Sequence, residues 1–114
     1  MPSATPAPVD LDHLARYTGG DRAIDRDVLQ LFVQQSSAML AQLPDVRDRK
    51  TWYHITHALK GAARGIGAFA LADVAAEAES LDPATQRGET AALLPRLKAR
   101  TVAVQAFVEV YLAA

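Results

Sequence analysis

The 114-residue chain is predicted to be all-α: an antiparallel up-and-down four-helix bundle with one short additional helix at its N-terminal end. Three observations carry that prediction. Apolar residues recur at spacings of three and four over long windows. No stretch sustains the alternation of a half-buried strand, and the β-branched residues are scattered. After residue 9, prolines occur only at 44, 83 and 95, which leaves long uninterrupted segments for helices.

Residues 1–9 hold three prolines among Ser, Thr and Ala and read as a disordered or extended lead-in to a single domain over residues 10–114. Asp10 can cap a short helix over about 11–17, with Leu11, Leu14 and Ala15 apolar, stopped by Gly19 and Gly20. Asp21 caps a longer segment in which Ile24, Val28, Leu31, Phe32, Met39 and Leu43 recur at helical spacing until Pro44. Asp45 or Asp48 opens a third helix that runs to about Gly67. A fourth, rich in Ala and Glu, spans Leu71 to Leu81 and ends at Asp82-Pro83. The last begins near Glu89 or Thr90 and carries Leu93, Leu94, Leu97, Val104, Phe107, Val108 and Tyr111, with Pro95 near its first turns. Short loops between helices of this length favour a bundle in which the first helix acts as a lid.

Composition excludes several classes of function. Half the residues are hydrophobic, enough for one packed core at this length. With 12 basic and 13 acidic residues the net charge is −1, so no broad basic field points to nucleic acid or an anionic membrane. Cysteine is absent, which removes disulfides and thiolate metal sites. No apolar run approaches the roughly 20 residues needed to span a bilayer, and the N-terminus lacks the pattern of a signal peptide. A cytoplasmic monomer that recognises partners through a local patch is expected.

The segment THALKGAARGIGAF, residues 56–69, concentrates the unusual chemistry. On a wheel of about 100° per residue, Trp52, Ile55, Leu59, Ala62 and Ile66 fall within roughly 80° and form the expected core stripe. His57 lies about 180° from its centre, with Tyr53, Lys60, Gly61 and Arg64 within about 60° of it. Helical side chains lean toward the N-terminus, so Lys60 and Arg64 can lean back toward the imidazole. An exposed, neutral nucleophile beside two cations suits a group that becomes anionic, since a phosphoryl group would meet charge-assisted donors there. Gly61 costs roughly 1 kcal/mol against alanine in a helix and leaves a depression beside the imidazole for an approaching partner. Gly67 is placed to end the helix. Gly65, off the His57 midline, either loosens the last turn or admits a neighbouring helix. His54 forms a His-x-x-His pair with His57, but no third ligand accompanies them on this helix, so no metal is expected. His54 and Tyr53 are instead candidates for partner contact, together with Gly61 and Arg64.

These residues resemble a known signature. His57-Ala58-Leu59-Lys60-Gly61, followed by Ala63, Gly67 and Ala68, is similar to the His-x-Leu-Lys-Gly motif of the histidine-containing phosphotransfer (HPt) domain family, where a small residue and then Gly-Ala follow. The preceding segment LARYTGGDRAIDRDVLQLFVQQ also resembles the family, in which a Gly-Asp turn opens a long helix. Ala62 stands where serine is common. The resemblance implies a four-helix bundle that relays phosphoryl groups in two-component signalling. His57 would accept the group from a receiver-domain aspartate, in a response regulator or a hybrid histidine kinase, and pass it to another receiver. Lys60 and Arg64 would stabilise the transferred charge, and Gly61 would permit close docking. No kinase activity and no cofactor of the chain's own are implied, the receiver bringing the Mg²⁺. The sequence contains no Gly-rich phosphate loop. The second helix is apolar over more than one face, and an exposed apolar strip on it would serve receiver docking. The alternatives are an HPt-like module that only docks on a receiver or kinase and thereby regulates it, and a metal-binding bundle resting on His54 and His57.

Overall fold

The computed structural model describes residues 7–114, so most of the proline-containing lead-in, residues 1–6, lies outside the described residues. Of its remainder, Val9 is buried in the core, and the packed part begins one residue before Asp10. Among the described residues there are five α-helices: α1 (Leu11–Thr18), α2 (Arg22–Gln42), α3 (Arg49–Gly65), α4 (Phe69–Glu79) and α5 (Arg87–Ala113), with a 3₁₀ turn at Leu43–Asp45. The starts follow the capping residues read from the sequence. Asp10 accepts from His13 N, Asp21 from the backbone N–H groups of Ala23 and Ile24, and Asp48 from Thr51 N. Each satisfies orphan donors of its first turn, a contribution of about 1 kcal/mol. Between the two candidate starts of α3, the structure selects Asp48.

α3 and α4 form the closest helix pair. Ala68 N–H donates to the Ala63 carbonyl at one end, 2.8 Å. At the other, the indole N–H of the buried Trp52 donates to the Ala78 carbonyl, 2.7 Å. The beginning of α3 therefore faces the end of α4, and the two run antiparallel. α5 packs on α4 and on α2, and α2 also packs on α3, which closes a helical bundle. Leu14, Leu29, Trp52, Leu59, Leu71, Leu97, Val104 and Val108 are all buried between the helices.

The core stripes are rotated from the sequence expectation, in both cases because polar residues share them. In α3 the buried line is Trp52, Thr56, Leu59, Ala63 and Ile66, while Ile55 and Ala62 are half-buried. Thr56 can enter the core because its hydroxyl donates to the Trp52 carbonyl one turn back, 2.9 Å. In α2 the buried line is Asp25, Leu29, Phe32 and Ser36, whereas Ile24 and Leu31 are 47% and 52% exposed. Ser36 donates to the Val33 carbonyl, and Asp25 accepts from the Tyr111 hydroxyl on α5. A hydrophobic pattern cannot assign a core position to Asp or Ser, so it placed Ile24 and Leu31 there instead.

Several helix limits also differ: α3 ends at Gly65 rather than about Gly67, and α4 ends at Glu79 rather than Leu81. α4 starts at Phe69 rather than Leu71, and α5 starts at Arg87 and continues through Pro95. Pro95 removes one backbone donor, and the burial of Leu93 and Leu97 on either side holds the helix across it.

Gly67 fastens the N-terminal segment to the end of α3. Its carbonyl accepts from Asp10 N–H at 3.0 Å. It adopts φ +79°, and a Cβ there would stand 2.7 Å from the Asp10 carbonyl oxygen. Gly67→Ala should therefore lower unfolding stability by about 2 kcal/mol or more, from left-handed backbone strain alone and before the collision is relieved. Gly61 is helical, and a Cβ there meets nothing within 4 Å, so Gly61→Ala should raise stability by up to about 1 kcal/mol. Urea denaturation of the two variants checks both signs; equal stabilities would contradict the account.

Candidate functional site

α3 presents His57 outward, its side chain 55% exposed. The Tyr53 ring, one turn earlier, stacks on the imidazole with centroids 5.2 Å apart and planes 13° from parallel. His54 touches this arrangement only through Tyr53, edge to face at 6.0 Å. Gly61, one turn after His57, leaves open space beside it. Arg64 is exposed, and among the described residues it makes no ion pair.

The structure adds a residue that the sequence reading did not single out. Glu79, at the end of α4, puts Oε2 3.2 Å from His57 Nδ1 and 2.6 Å from Lys60 Nζ. Lys60 and Glu79 are only 16% and 18% exposed, so the pair forms a half-sheltered floor beneath the exposed imidazole. Lys60 thus reaches His57 through a carboxylate, where the sequence suggested a free cationic arm. Because α3 and α4 are antiparallel, the N-terminal lean of each side chain carries Lys60 and Glu79 toward one another. A signal for Glu79 does exist in the sequence: reflecting His57 about the tight turn near residue 67 lands about residue 77, which is Glu77, with Glu79 two residues on. Glu77 is occupied elsewhere, held by both guanidinium nitrogens of Arg96 on α5 at 3.1 and 2.9 Å.

The electrostatics follow from this geometry. The Lys60 ammonium, by hydrogen bond, holds the Glu79 carboxyl below the ordinary glutamate range; desolvation opposes it, and the His57 contact adds to the lowering. An ionised carboxylate can only accept, so its contact with His57 requires the proton on Nδ1. The neutral ring then has its free lone pair on Nε2, the nitrogen on the far side from Glu79. Glu79 thereby selects the tautomer and leaves Nε2 with the free lone pair, as the carboxylate of a catalytic triad orients its histidine.

An apolar groove of about 340 Å³ lies between α1, α2 and α3. Tyr17, Ile24, Val28 and Leu31 form its walls, and Ala62 and Gly65 bring α3 into it. Ile24 and Leu31 thus form the exposed apolar strip on the second helix. Three larger grooves lie elsewhere, one of 590 Å³ beside the N-terminal segment and α4 and two of 750 and 400 Å³ between α2 and α5; His57 lines none of them. Among the described residues no three His, Asp or Glu side chains cluster closely enough to hold a metal ion.

The site is thus an exposed histidine backed by a carboxylate and a lysine, carried on a helical bundle. The chain belongs to the Hpt domain family, whose model matches residues 27–108 and so includes the whole of α3 and α4. In fold it is similar to the crystal structure of histidine-containing phosphotransfer protein B (HptB) from Pseudomonas aeruginosa PAO1. The TM-score is 0.76 at 23% identity, over 92% of this chain and 94% of that one. No curated protein sequence matches the chain.

Glu79 makes a pH-dependent contribution of definite sign. Its carboxyl is more acidic folded than unfolded, so its stabilisation is fully present above the ordinary glutamate range and is lost as pH falls through the lowered folded value. Glu79→Gln should abolish that part of the acid loss of stability. It should also move the His57 proton from Nδ1 toward a mixed tautomer, seen in ¹⁵N chemical shifts. An unchanged tautomer would remove Glu79 from the site.

Proposed function

We propose that this protein is a histidine phosphotransfer carrier in a two-component phosphorelay, with His57 as the phosphoacceptor. One observation carries the reading: an exposed imidazole whose Nδ1 is engaged by an ionised, lysine-paired carboxylate, with open space beside it at Gly61. Family membership supports it, since Hpt domain proteins are phosphocarriers rather than kinases and work with receiver domains.

In the proposed step the Nε2 lone pair attacks the phosphorus of a receiver's aspartyl phosphate. The N–P bond forms as the bond from phosphorus to the carboxyl oxygen breaks, and its electron pair leaves with the aspartate. The phosphorylated ring keeps its Nδ1 proton and becomes cationic, and Glu79 stabilises it. Transfer to a second receiver runs the same steps in reverse and regenerates the neutral ring. The transition state is loose, so positioning and charge carry the catalysis. Lys60 has three donors and spends one on Glu79, which leaves others for the oxygens of the transferring group. Arg64 stands one turn beyond Lys60 on the exposed face, placed to meet the acidic active site of a receiver. Tyr53 and His54 lie beside the point of contact, and Ile24 and Leu31 offer an apolar strip on α2 for docking.

Any Mg²⁺ is assigned to the receiver. The four long helices are read as up-and-down, consistent with the short connections between them. The protein is read as a cytoplasmic monomer; no helix of the described residues is long and apolar enough to cross a membrane.

His57→Gln should abolish acceptance of phosphate from a phosphorylated receiver while leaving the helical circular dichroism intact. The label on the parent should be acid-labile and base-stable. Retained labelling in the variant would move the acceptor elsewhere, with His54 first. Lys60→Ala should slow transfer about tenfold, the loss of one charged contact of ~1.5 kcal/mol. Absence of transfer with every receiver tried would favour a docking-only module.

A further inference from the structure

Tyr53 stands one turn before His57 on the exposed face of α3. Its ring lies nearly parallel to the imidazole, with 13° between the planes and 5.2 Å between centroids. Side chains four apart on a helix are neighbours in any case, so contact alone explains little. The orientation says more. Tyr53 is 37% exposed, so most of its surface is covered, and it offers the imidazole the electron-rich face of its ring. A neutral imidazole gains only ordinary stacking from that face. A cationic one gains a cation–π attraction, which acts within about 6 Å of the ring centroid.

The charge of the His57 ring changes in the proposed reaction. A phosphoryl group on Nε2, with the proton retained on Nδ1, makes the ring cationic, and onward transfer makes it neutral again. Glu79 meets that charge at the ring edge, 3.2 Å from Nδ1. Tyr53 meets it from the ring face. The aromatic contact is therefore stronger in the phosphorylated state than in the free one.

Resting on the phosphotransfer reading, we propose that Tyr53 is a positioning residue that sets how firmly His57 holds its phosphoryl group. It stabilises the phosphorylated, cationic ring relative to the free imidazole, and so lowers the tendency of the group to leave for an aspartate.

The test is an equilibrium, because the way a receiver docks cannot enter an equilibrium constant between separate molecules. The full chain is mixed with phosphoramidate and ammonia, and the phosphorylated fraction is read by ³¹P NMR. The bond from Nε2 to phosphorus forms as the P–N bond of phosphoramidate breaks; its electron pair leaves with ammonia, and the Nδ1 proton stays. Tyr53→Leu should lower the equilibrium constant about two- to fivefold, the size of one exposed cation–π contact. Tyr53→Phe, which keeps the aromatic face and loses the hydroxyl, should match the parent. Against a phosphorylated receiver domain the constant should fall by the same factor, since the change lies in His57 and not in the donor. An unchanged constant in Tyr53→Leu overturns the proposal, as does an equal fall in Tyr53→Phe. Slower transfer in both directions at an unchanged constant also overturns it and leaves Tyr53 a docking contact. A parent labelled by neither phosphoramidate nor any receiver overturns the phosphotransfer reading itself. A labelled parent whose constant is insensitive to Tyr53 overturns only the role given to that ring.

Discussion

The hydrogen bond from the Trp52 indole to the Ala78 carbonyl fixes how α3 lies against α4, and the functional face depends on that register. Glu79 follows Ala78 directly, so the bond that anchors the end of α4 also decides where the Glu79 carboxylate can reach. A buried Trp contributes several kcal/mol by burial, and its N–H must find a partner once away from water. The packing requirement of one aromatic residue thereby sets the geometry around His57, five residues further along α3. At the opposite end of the same pair, Ala68 bonds Ala63 and Gly67 bonds Asp10, so the turn is tied from both sides.

The two faces of α3 solve different problems. The inner face is closed by Trp52, Leu59 and Ala63, with Thr56 admitted because its hydroxyl bonds within its own helix. The outer face forgoes helix stability at Gly61 and Gly65, where a Cβ would meet nothing within 4 Å. Such a departure from local preference is expected where a surface is reserved for recognition. Lys60 belongs to both faces: its stem is covered, and its ammonium is held at the boundary by Glu79.

Much of this was legible in the sequence, for physical reasons that differ by element. Asp10, Asp21 and Asp48 announced helix starts because capping is local chemistry. His57 with Lys60 and Gly61 was legible because a helix converts spacing into position. The rotation of α2 was not, since burial of Asp25 and Ser36 depends on partners that hydropathy does not see. Glu79 was missed because its role exists only across the α3–α4 contact, 22 residues from His57 in the chain. Its place could have been estimated by reflection about the turn, but the choice between Glu77 and Glu79 depended on Arg96 of α5.

The central claim is that Glu79 holds the proton on Nδ1 of His57 and leaves Nε2 to carry the phosphoryl group. Heteronuclear NMR of the phosphorylated protein, with ¹⁵N-labelled histidine and ³¹P detection, identifies the nitrogen bonded to phosphorus. The account predicts a single phosphohistidine, at Nε2 of His57, with the Nδ1 proton retained. Phosphorus on Nδ1, or on a histidine other than His57, would contradict it.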